Sequence, residues 1–470
     1  MTTTSTTRHP AAIALRGTMT GSVFEPGDPD YDDARRVWNG MIDLRPAMIA
    51  RPTSADGVGA ALRVAREHGL QVAVRGGGHN VAGLASVDGG LVIDLSAMRE
   101  VEVDSNRRTV RAGGGATWGE VDRATQPYGL ATPGGVVSET GIAGLTLGGG
   151  MGWLRRRYGL SADNLIGAEV VLADGSITWT TETERPELLW GLRGGGGNFG
   201  VVTTFEYRLH PVGPDVAFAF TFYPLAAAAA VLREHEQVIA ADTAGEISSL
   251  AVLGHIPPVD DFDPKLHGVG FVGVLAMYAG DVETGTTALR PLRELATPLV
   301  DMSDTMPYVQ VQTVFDADYP AGHRYYWKSI RLPKLSDTSI DGLVAMIGAA
   351  PSGHSTIDLW LNGGAMTDVP ADATAFGSRD SAYVVSPEAN WEDPADDAAN
   401  IAWARDVIGS VEADSAGGTY LNFPGFLEEG ESLVRTSFGA AWDRLVELKR
   451  AYDPDNIFRR NQNVAPGSIR

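Results

Sequence analysis

The first regular pattern along the chain is helical. Val58, Ala61, Leu62 and Ala65 recur at i, i+3, i+4 and i+7, the spacing of one buried helix face. Ser54 stands where an N-cap is needed, and Gly69 where a helix stops. The pattern then shortens. "LQVAVR", "GGLVIDLSAM" and "VEVDSNRRTVRAGGG" read as strands, the last folded at a Ser105–Asn106 turn. "TWGEVDRATQPYG" reads as a helix, and "GAEVVLADG" and "VVTTFEYRL" as strands. Past Pro211 the glycine loops thin out. Ala-rich helical stretches there alternate with strands such as "VGFVGVLAMY", "YYWKSIRL" and "STIDLWLNGGAM". "FGAAWDRLVELKRAYDPDNIFRRNQNV" is an amphipathic helix that Pro454 ends. The pattern predicts an α+β protein with a domain boundary near residue 212.

Four glycine loops punctuate the first part: Gly76–Gly78, Gly113–Gly115, Gly148–Gly150 and Gly194–Gly197. Any one alone is a tight turn by default. Four together suit a long ligand touched by bare backbone amides at several points, and a dinucleotide pyrophosphate is such a ligand. Gly195, Gly197 and Gly200 satisfy G-x-G-x-x-G. However, the helix-like "ELLWGLR" precedes them and a strand follows, the reverse of the Rossmann order. No P-loop lysine follows any glycine run.

Composition narrows the classes. The length of 470 residues suits two to three domains at roughly 150 residues each. A formal charge of −22 speaks against nucleic acid or an anionic membrane as partner, and mildly favours a neutral or cationic substrate. The absence of cysteine excludes disulfides, thiolate catalysis and thiolate metal sites. No histidine pair has the HxxxH spacing, so no metal site is expected. No apolar run is long enough to span a bilayer, and "MTTTSTTRHPAAIALRG" lacks the apolar core of a secretory signal. Residues 1–20 read as a disordered tail and the protein as cytoplasmic.

Five stretches together carry a resemblance: "VRGGGHNVAG" with "GGLVIDLSAM", "TPGGVVSETGIAGLTLGGGMGWLRRRYGLSADNL", "RGGGGNFGVVT" and "YDPDNIFRRNQNV". Their order and content resemble the FAD-linked oxidases of the vanillyl-alcohol oxidase type, in the berberine bridge enzyme-like branch with its bacterial relatives. The resemblance implies a two-part FAD-binding domain of the PCMH type, formed by residues 21–212 and a returning C-terminal segment 425–470. It also implies a central substrate domain, residues 213–424, with a helix-covered antiparallel sheet over the flavin ring.

In that family the histidine of the first loop bonds to the flavin 8α-methyl, and here it is His79. Neutral imidazole is a competent nucleophile. The second link of many members is a cysteine, whose place falls on Val137, so FAD is expected to be mono-covalent through His79. The expected cofactor contacts begin with Arg75, Gly76, Gly77, Gly78, His79, Asn80 and Gly83. Pro133, Gly134, Gly141, Gly144, Gly148, Gly149, Gly152 and Asn164 follow from the second stretch. Gly197 and Val201 follow from the third, and Asn461 and Asn463 are expected as a polar pair near the ring.

For catalysis the resemblance points to the Y-x-N segment in "GGTYLNFPG". Read as a strand, it puts Tyr420 and Asn422 on one face. A tyrosine base needs its pKa lowered from about 10. In "GHRYYWKSIRL", Tyr325 and Trp327 face one way, Tyr326 and Lys328 the other. Tyr325 is a candidate pocket residue and Lys328 a candidate cation for tuning Tyr420 or the flavin. Asn362, Arg379 and Tyr383 are expected nearby from the resemblance. No glutamate stands near Leu361–Gly363, where the plant enzymes place a base, and Val81 replaces a tyrosine of some relatives.

Structural alternatives stay open. Tyr420 could be a cross-strand aromatic, Tyr325–Lys328 a sheet cover, and the asparagines part of an Asx turn. His79 could be a loop histidine that only hydrogen-bonds. The leading reading is an FAD-dependent oxidase. It takes a hydride from a C–H beside O or N of a small organic molecule and passes electrons to dioxygen, as a monomer or homodimer. The alternatives are a flavin dehydrogenase or oxygenase of secondary metabolism, or a non-catalytic flavin carrier.

Overall fold

The helix predicted from the first apolar stripe spans Ala55–Glu67. The Ser54 hydroxyl accepts from the Gly57 amide, a cap whose loss costs about 1 kcal/mol. Gly69 ends the turn with φ of +65°, and Val58, Ala61, Leu62 and Ala65 are buried. The computed structural model, which describes residues 8–377 and 379–467, packs this helix on a four-stranded sheet. In that sheet Met48–Pro52, Leu91–Asp94 and Val72–Arg75 run parallel, and Gly21–Phe24 adds antiparallel at the edge.

The expected unstructured tail is corrected over part of its length. Residues 1–7 lie outside the described residues, but Pro10–Thr18 is a helix capped by His9. Ala11, Ala12 and Leu15 are fully buried against the Ala55–Glu67 helix. This apolar stripe is too short to stand out in the sequence and is stabilised by packing rather than by its own propensity.

A second, antiparallel sheet holds Val101–Asp104, Thr109–Gly113, Val201–Arg208, Leu165–Val171 and Ile177–Thr181, in that spatial order. The C-terminal helix Trp442–Tyr452 packs onto it, with Trp442, Leu445 and Val446 joining Phe199 and Phe205 in one core. Lys449, fully buried, donates to Asp453 and to the carbonyls of Asn198 and Phe458. That triple contact ties the end of the chain to the fourth glycine loop.

Between these parts lies a nine-stranded antiparallel sheet that starts at Asp215 and reaches Trp391. Strand alternation gives its two faces different tasks. Tyr326, Ile357, Leu359, Val385 and Ala389 face helices including Asp337–Gly348 and Asp397–Val411. Tyr325, Trp327, Trp360 and Val384 face the loops of the first part, against Trp38, Trp153 and Leu154. The strand predicted over "YYWKSIRL" breaks in two, at Arg324–Trp327 and Ile330–Leu332. "YLNF" is a turn rather than the expected strand.

Candidate functional site

A cavity of about 260 Å³ separates the glycine loops from the open sheet face. Its two walls are chemically unlike. One is mostly backbone: Gly76 to Asn80, Gly141, Gly144, Gly148, Gly197 and Val201 line it, with Asn461 from the C-terminal segment.

The predicted glycines divide by what a β-carbon would meet. At Gly144 and Gly197 it would meet no protein atom within 4 Å. Gly144 lies inside the helix Ile142–Leu147, where glycine costs about 1 kcal/mol relative to alanine. Packing does not require glycine at either place, so both leave room for a ligand. Elsewhere the chain itself needs the room. A β-carbon on Gly77 would strike the Gly141 backbone and one on Gly141 would strike Gly77, so the first two stretches cross main chain to main chain. Gly134 makes room for the Trp118 ring, Gly83 for Ile42, and Gly152 for the Gly134 carbonyl. The positions a β-carbon would take at Gly148 and Gly149 are occupied by Asn422 and Phe376.

Four other expected contacts also lie off the lining. The Arg75 guanidinium donates to the carbonyls of Ala34, Arg35 and Ala85 and braces the loop from behind. Asn164 donates to the carbonyls of Tyr158 and Leu160 and pairs with His210. Pro133 and Asn463 do not reach the cavity. Asn461 does reach it. Its amide nitrogen donates to Gly197 and Phe458, while its buried Oδ1 has no partner among the described residues. An orphaned buried acceptor of this kind needs a donor from outside the protein. Arg460, which sequence reading missed, is the one arginine or lysine lining the cavity among the described residues. Room at two glycines, bare amides, an unpartnered acceptor and one guanidinium together fit a dinucleotide such as FAD.

His79 lines the same cavity, half-buried, its ring stacked on Trp38 at 5.0 Å and 14°. Loss of surrounding water pulls its pKa down to about 4, so the imidazole is neutral. Val137 also lines the cavity.

The opposite wall is made of side chains. Trp327, Asp358, Trp360 and Glu388 project from three neighbouring strands, and Tyr319 joins them from a loop. Register explains the grouping. Glu388 lies opposite both Trp327 and Thr356, and Asp358 lies opposite Ser386, so the two carboxyls are diagonal neighbours on one face. Each residue is only 3% exposed. Asp358 accepts from the Thr356 hydroxyl at 2.9 Å, and Glu388 from the Tyr319 hydroxyl at 2.7 Å. Neither has a basic partner among the described residues, and both pKa values are raised, chiefly by burial; the Asp358 carboxyl adds to the rise at Glu388, while at Asp358 the Thr356 hydrogen bond opposes it and Asp318 adds to it.

Tyr420 and Asn422 sit where the walls meet. The Tyr420 oxygen receives the amides of Gly150 at 3.1 Å and Met151 at 3.3 Å, and the Asn422 amide at 2.8 Å. Three donors on one oxygen suit a phenolate better than a phenol, which has two lone pairs to offer. Burial pushes the Tyr420 pKa up and outweighs the three donors, so it lies above its ordinary value, and the chain alone does not supply the lowering that a tyrosine base needs.

Several expected catalytic positions lie elsewhere. Lys328 forms ion pairs with Glu428 and Glu429 and does not line the cavity, so it is not placed to tune Tyr420. Tyr325 lies behind Trp38, stacked at 3.8 Å, with its hydroxyl on the Pro320 carbonyl. Its strand neighbour Trp327 reaches the cavity instead. Asn362 donates to Ser381, Arg379 pairs with Asp163, and Tyr383 belongs to the helix-covered core. Asp358 and Glu388 were missed although a signal exists. In "STIDLWLN" and "YVVSPEANW" an acid falls in step with Trp360 or Val384 on the cavity-facing side, where a merely covered sheet would be apolar.

Comparison with known proteins agrees with this geometry. Residues 46–181 match the family described as "FAD binding domain", and residues 419–465 match "Berberine and berberine like". The chain is 31% identical to an FAD-linked oxidoreductase of Dictyostelium discoideum over 95% of each chain. It is 30% identical to (R)-6-hydroxynicotine oxidase of Paenarthrobacter nicotinovorans, over 95% of this chain and 97% of that one. The crystal structure of 6-hydroxy-D-nicotine oxidase from Arthrobacter nicotinovorans superposes with a TM-score of 0.84 at 27% identity, covering 95% of this chain and 98% of that chain. A matching FAD-binding domain, a berberine-like C-terminal segment and relatives matched along nearly their whole length have one conclusion: the chain belongs to the berberine bridge enzyme-like FAD-linked oxidoreductases.

Proposed function

We propose that the protein is an FAD-dependent oxidase that acts on a small molecule carrying a basic nitrogen, removing a hydride from the carbon beside that nitrogen. The observation that carries this reading is the Asp358–Glu388 pair, two buried carboxyls with no basic partner among the described residues, set among Trp327, Trp360 and Tyr319. Buried carboxyls without a cation are costly, and aromatic faces attract cations. A substrate amine relieves the first and uses the second. A relative named as a hydroxynicotine oxidase supports the oxidase part of the reading.

Bound FAD supplies the two-electron acceptor, and dioxygen restores it with release of hydrogen peroxide. The residues do the rest. The glycine wall binds the cofactor through backbone amides, with Arg460 and Asn461 adding the polar side chains. His79, neutral at physiological pH, anchors it covalently, and the cysteine-free chain offers no second thiolate link. The carboxyl pair receives the substrate's nitrogen and can hold its proton, since burial raises both pKa values. Tyr420 stands at the junction of the walls with three donors on its oxygen, and it takes part in proton transfer only when bound ligands offset the burial that holds its pKa up. The aromatic rings exclude water around the reacting carbon.

The test is peroxide production in air by the purified flavoprotein, offered a panel of secondary and tertiary amines beside matched alcohols and oligosaccharides. The reading predicts amine turnover with one peroxide per substrate. Turnover of sugars but not amines, or flavin reduction by amines without reoxidation in air, would contradict it.

A further inference from the structure

Trp38 sits between two rings. On one side His79 stacks on it at 5.0 Å and 14°; on the other Tyr325 stacks at 3.8 Å and 10°. The indole has little freedom. Its Nε1–H donates to the Tyr319 carbonyl at 2.9 Å, and its amide meets the Gly78 carbonyl at 3.3 Å. The next residue, Asn39, is fully buried; its side-chain Nδ2 donates to the carbonyls of Val81 and Tyr325, while its Oδ1 accepts from the Tyr325 amide. Gly40 bonds the His323 carbonyl, and Gly322 the Trp38 carbonyl. "WNG" is therefore a rivet. It fixes the His79 loop, residues 78–81, against the edge strand Arg324–Trp327 of the central sheet.

We propose that Trp38 is the positioning residue for covalent flavin attachment, its indole face holding the His79 imidazole in the plane from which a ring nitrogen reaches the cofactor. The inference rests on the reading of His79 as the attachment point. The linkage joins an imidazole nitrogen to the 8α-carbon of FAD. The imidazole N–H and one C–H are lost, and the two hydrogens leave with two electrons on dioxygen as hydrogen peroxide, so atoms and charge balance. Bond formation of this kind is steep in orientation, because a misdirected nucleophile loses the advantage of being held near its target. Stacking is the restraint available here. An imidazole that is free to turn has its lone pair in the productive direction only part of the time. Tyr325, pressed on the far face of the indole, keeps Trp38 from rotating away and does not itself touch the cavity.

The test compares wild type, Trp38→Leu, Trp38→Phe, Tyr325→Leu and His79→Ala, each saturated with FAD. Two quantities are read: total flavin per chain in the native protein, and the flavin that stays on the chain after denaturation. Trp38→Leu is expected to keep total flavin within about twofold of wild type while its attachment rate falls at least tenfold, about 1.4 kcal/mol of barrier. Trp38→Phe, which restores a flat ring, should recover most of that rate. Tyr325→Leu should fall between. Wild-type attachment in Trp38→Leu overturns the proposal and leaves His79 as the link. If Trp38→Leu does not fold, Tyr325→Leu decides, and wild-type attachment there overturns it. Denaturation-resistant flavin surviving in His79→Ala, or missing from wild type, overturns both the linkage and this inference.

Discussion

The two walls of the cavity teach different lessons about how a chain builds a site. The glycine wall is local. Each of its loops is a contiguous stretch, and its contacts are main chain and short side chains. The sheet wall is assembled from distant segments. Tyr319, Trp327, Asp358, Trp360 and Glu388 come together through strand register across some seventy residues of sequence, and each looks unremarkable where it stands. On the proposed function, the first wall holds the cofactor and the second selects what is oxidised. If this division is right, substitutions on one wall change flavin content and those on the other change turnover.

The largest expected effect is at the seam. Tyr420→Phe removes the hydroxyl proposed for proton transfer but leaves the ring, and on that proposal kcat should fall by about 10²- to 10⁴-fold with flavin content unchanged. Rapid anaerobic reduction kinetics would check it; a loss below threefold would move proton transfer wholly to the carboxyl pair.

Two glycines sharpen the backbone wall. Gly77→Ala forces the crossing of two loops apart and should cost about 1–3 kcal/mol of stability even without cofactor. Gly144→Ala meets nothing in the protein, so the flavin-free chain should gain up to about 1 kcal/mol while flavin content drops. Opposite signs in thermal melts of the flavin-free variants are the signature.

On the sheet wall the prediction concerns pH. Burial raises the Glu388 and Asp358 pKa values in the folded state, so over the range between the unfolded and folded values the folded chain binds more protons. Stability therefore falls as pH rises from the ordinary carboxylate range through the folded values. Glu388→Gln should flatten that decline and stabilise the protein near neutral pH by about 1–3 kcal/mol, while weakening amine turnover. Denaturant titrations at several pH values would show it; an unchanged slope contradicts the buried-pair account. The smallest effect belongs to Lys328→Met. With its ammonium on Glu428 and Glu429, away from the cavity, kcat/KM for any substrate should stay within about twofold.

What could be read in advance follows the same division. The Ala55–Glu67 helix, the glycine loops and His79 are legible because their physics is local: a cap, a period, a run of small residues. Tyr420 and Asn422 were placed together by a strand that is in fact a turn, in which the Asn422 amide bonds the tyrosine oxygen directly. Lys328 was a candidate because its positive charge, on a strand expected near the pocket, could tune Tyr420 or the flavin. Only the structure reveals the two glutamates, a hundred residues on, that occupy it. The loops also hid a distinction. Gly144 and Gly197 leave space, whereas Gly77, Gly141, Gly148 and Gly149 are needed for the chain to pass itself, and the letters alone do not separate the two.

The division of labour is tested most directly by one spectroscopic comparison, the flavin absorbance per chain of Gly197→Val and Glu388→Gln before and after anaerobic addition of an amine substrate of the wild type. The account predicts that Gly197→Val starts with little flavin, whereas Glu388→Gln starts with a full complement that the amine bleaches at least tenfold more slowly than in wild type. Full flavin in Gly197→Val, or wild-type bleaching in Glu388→Gln, would contradict it.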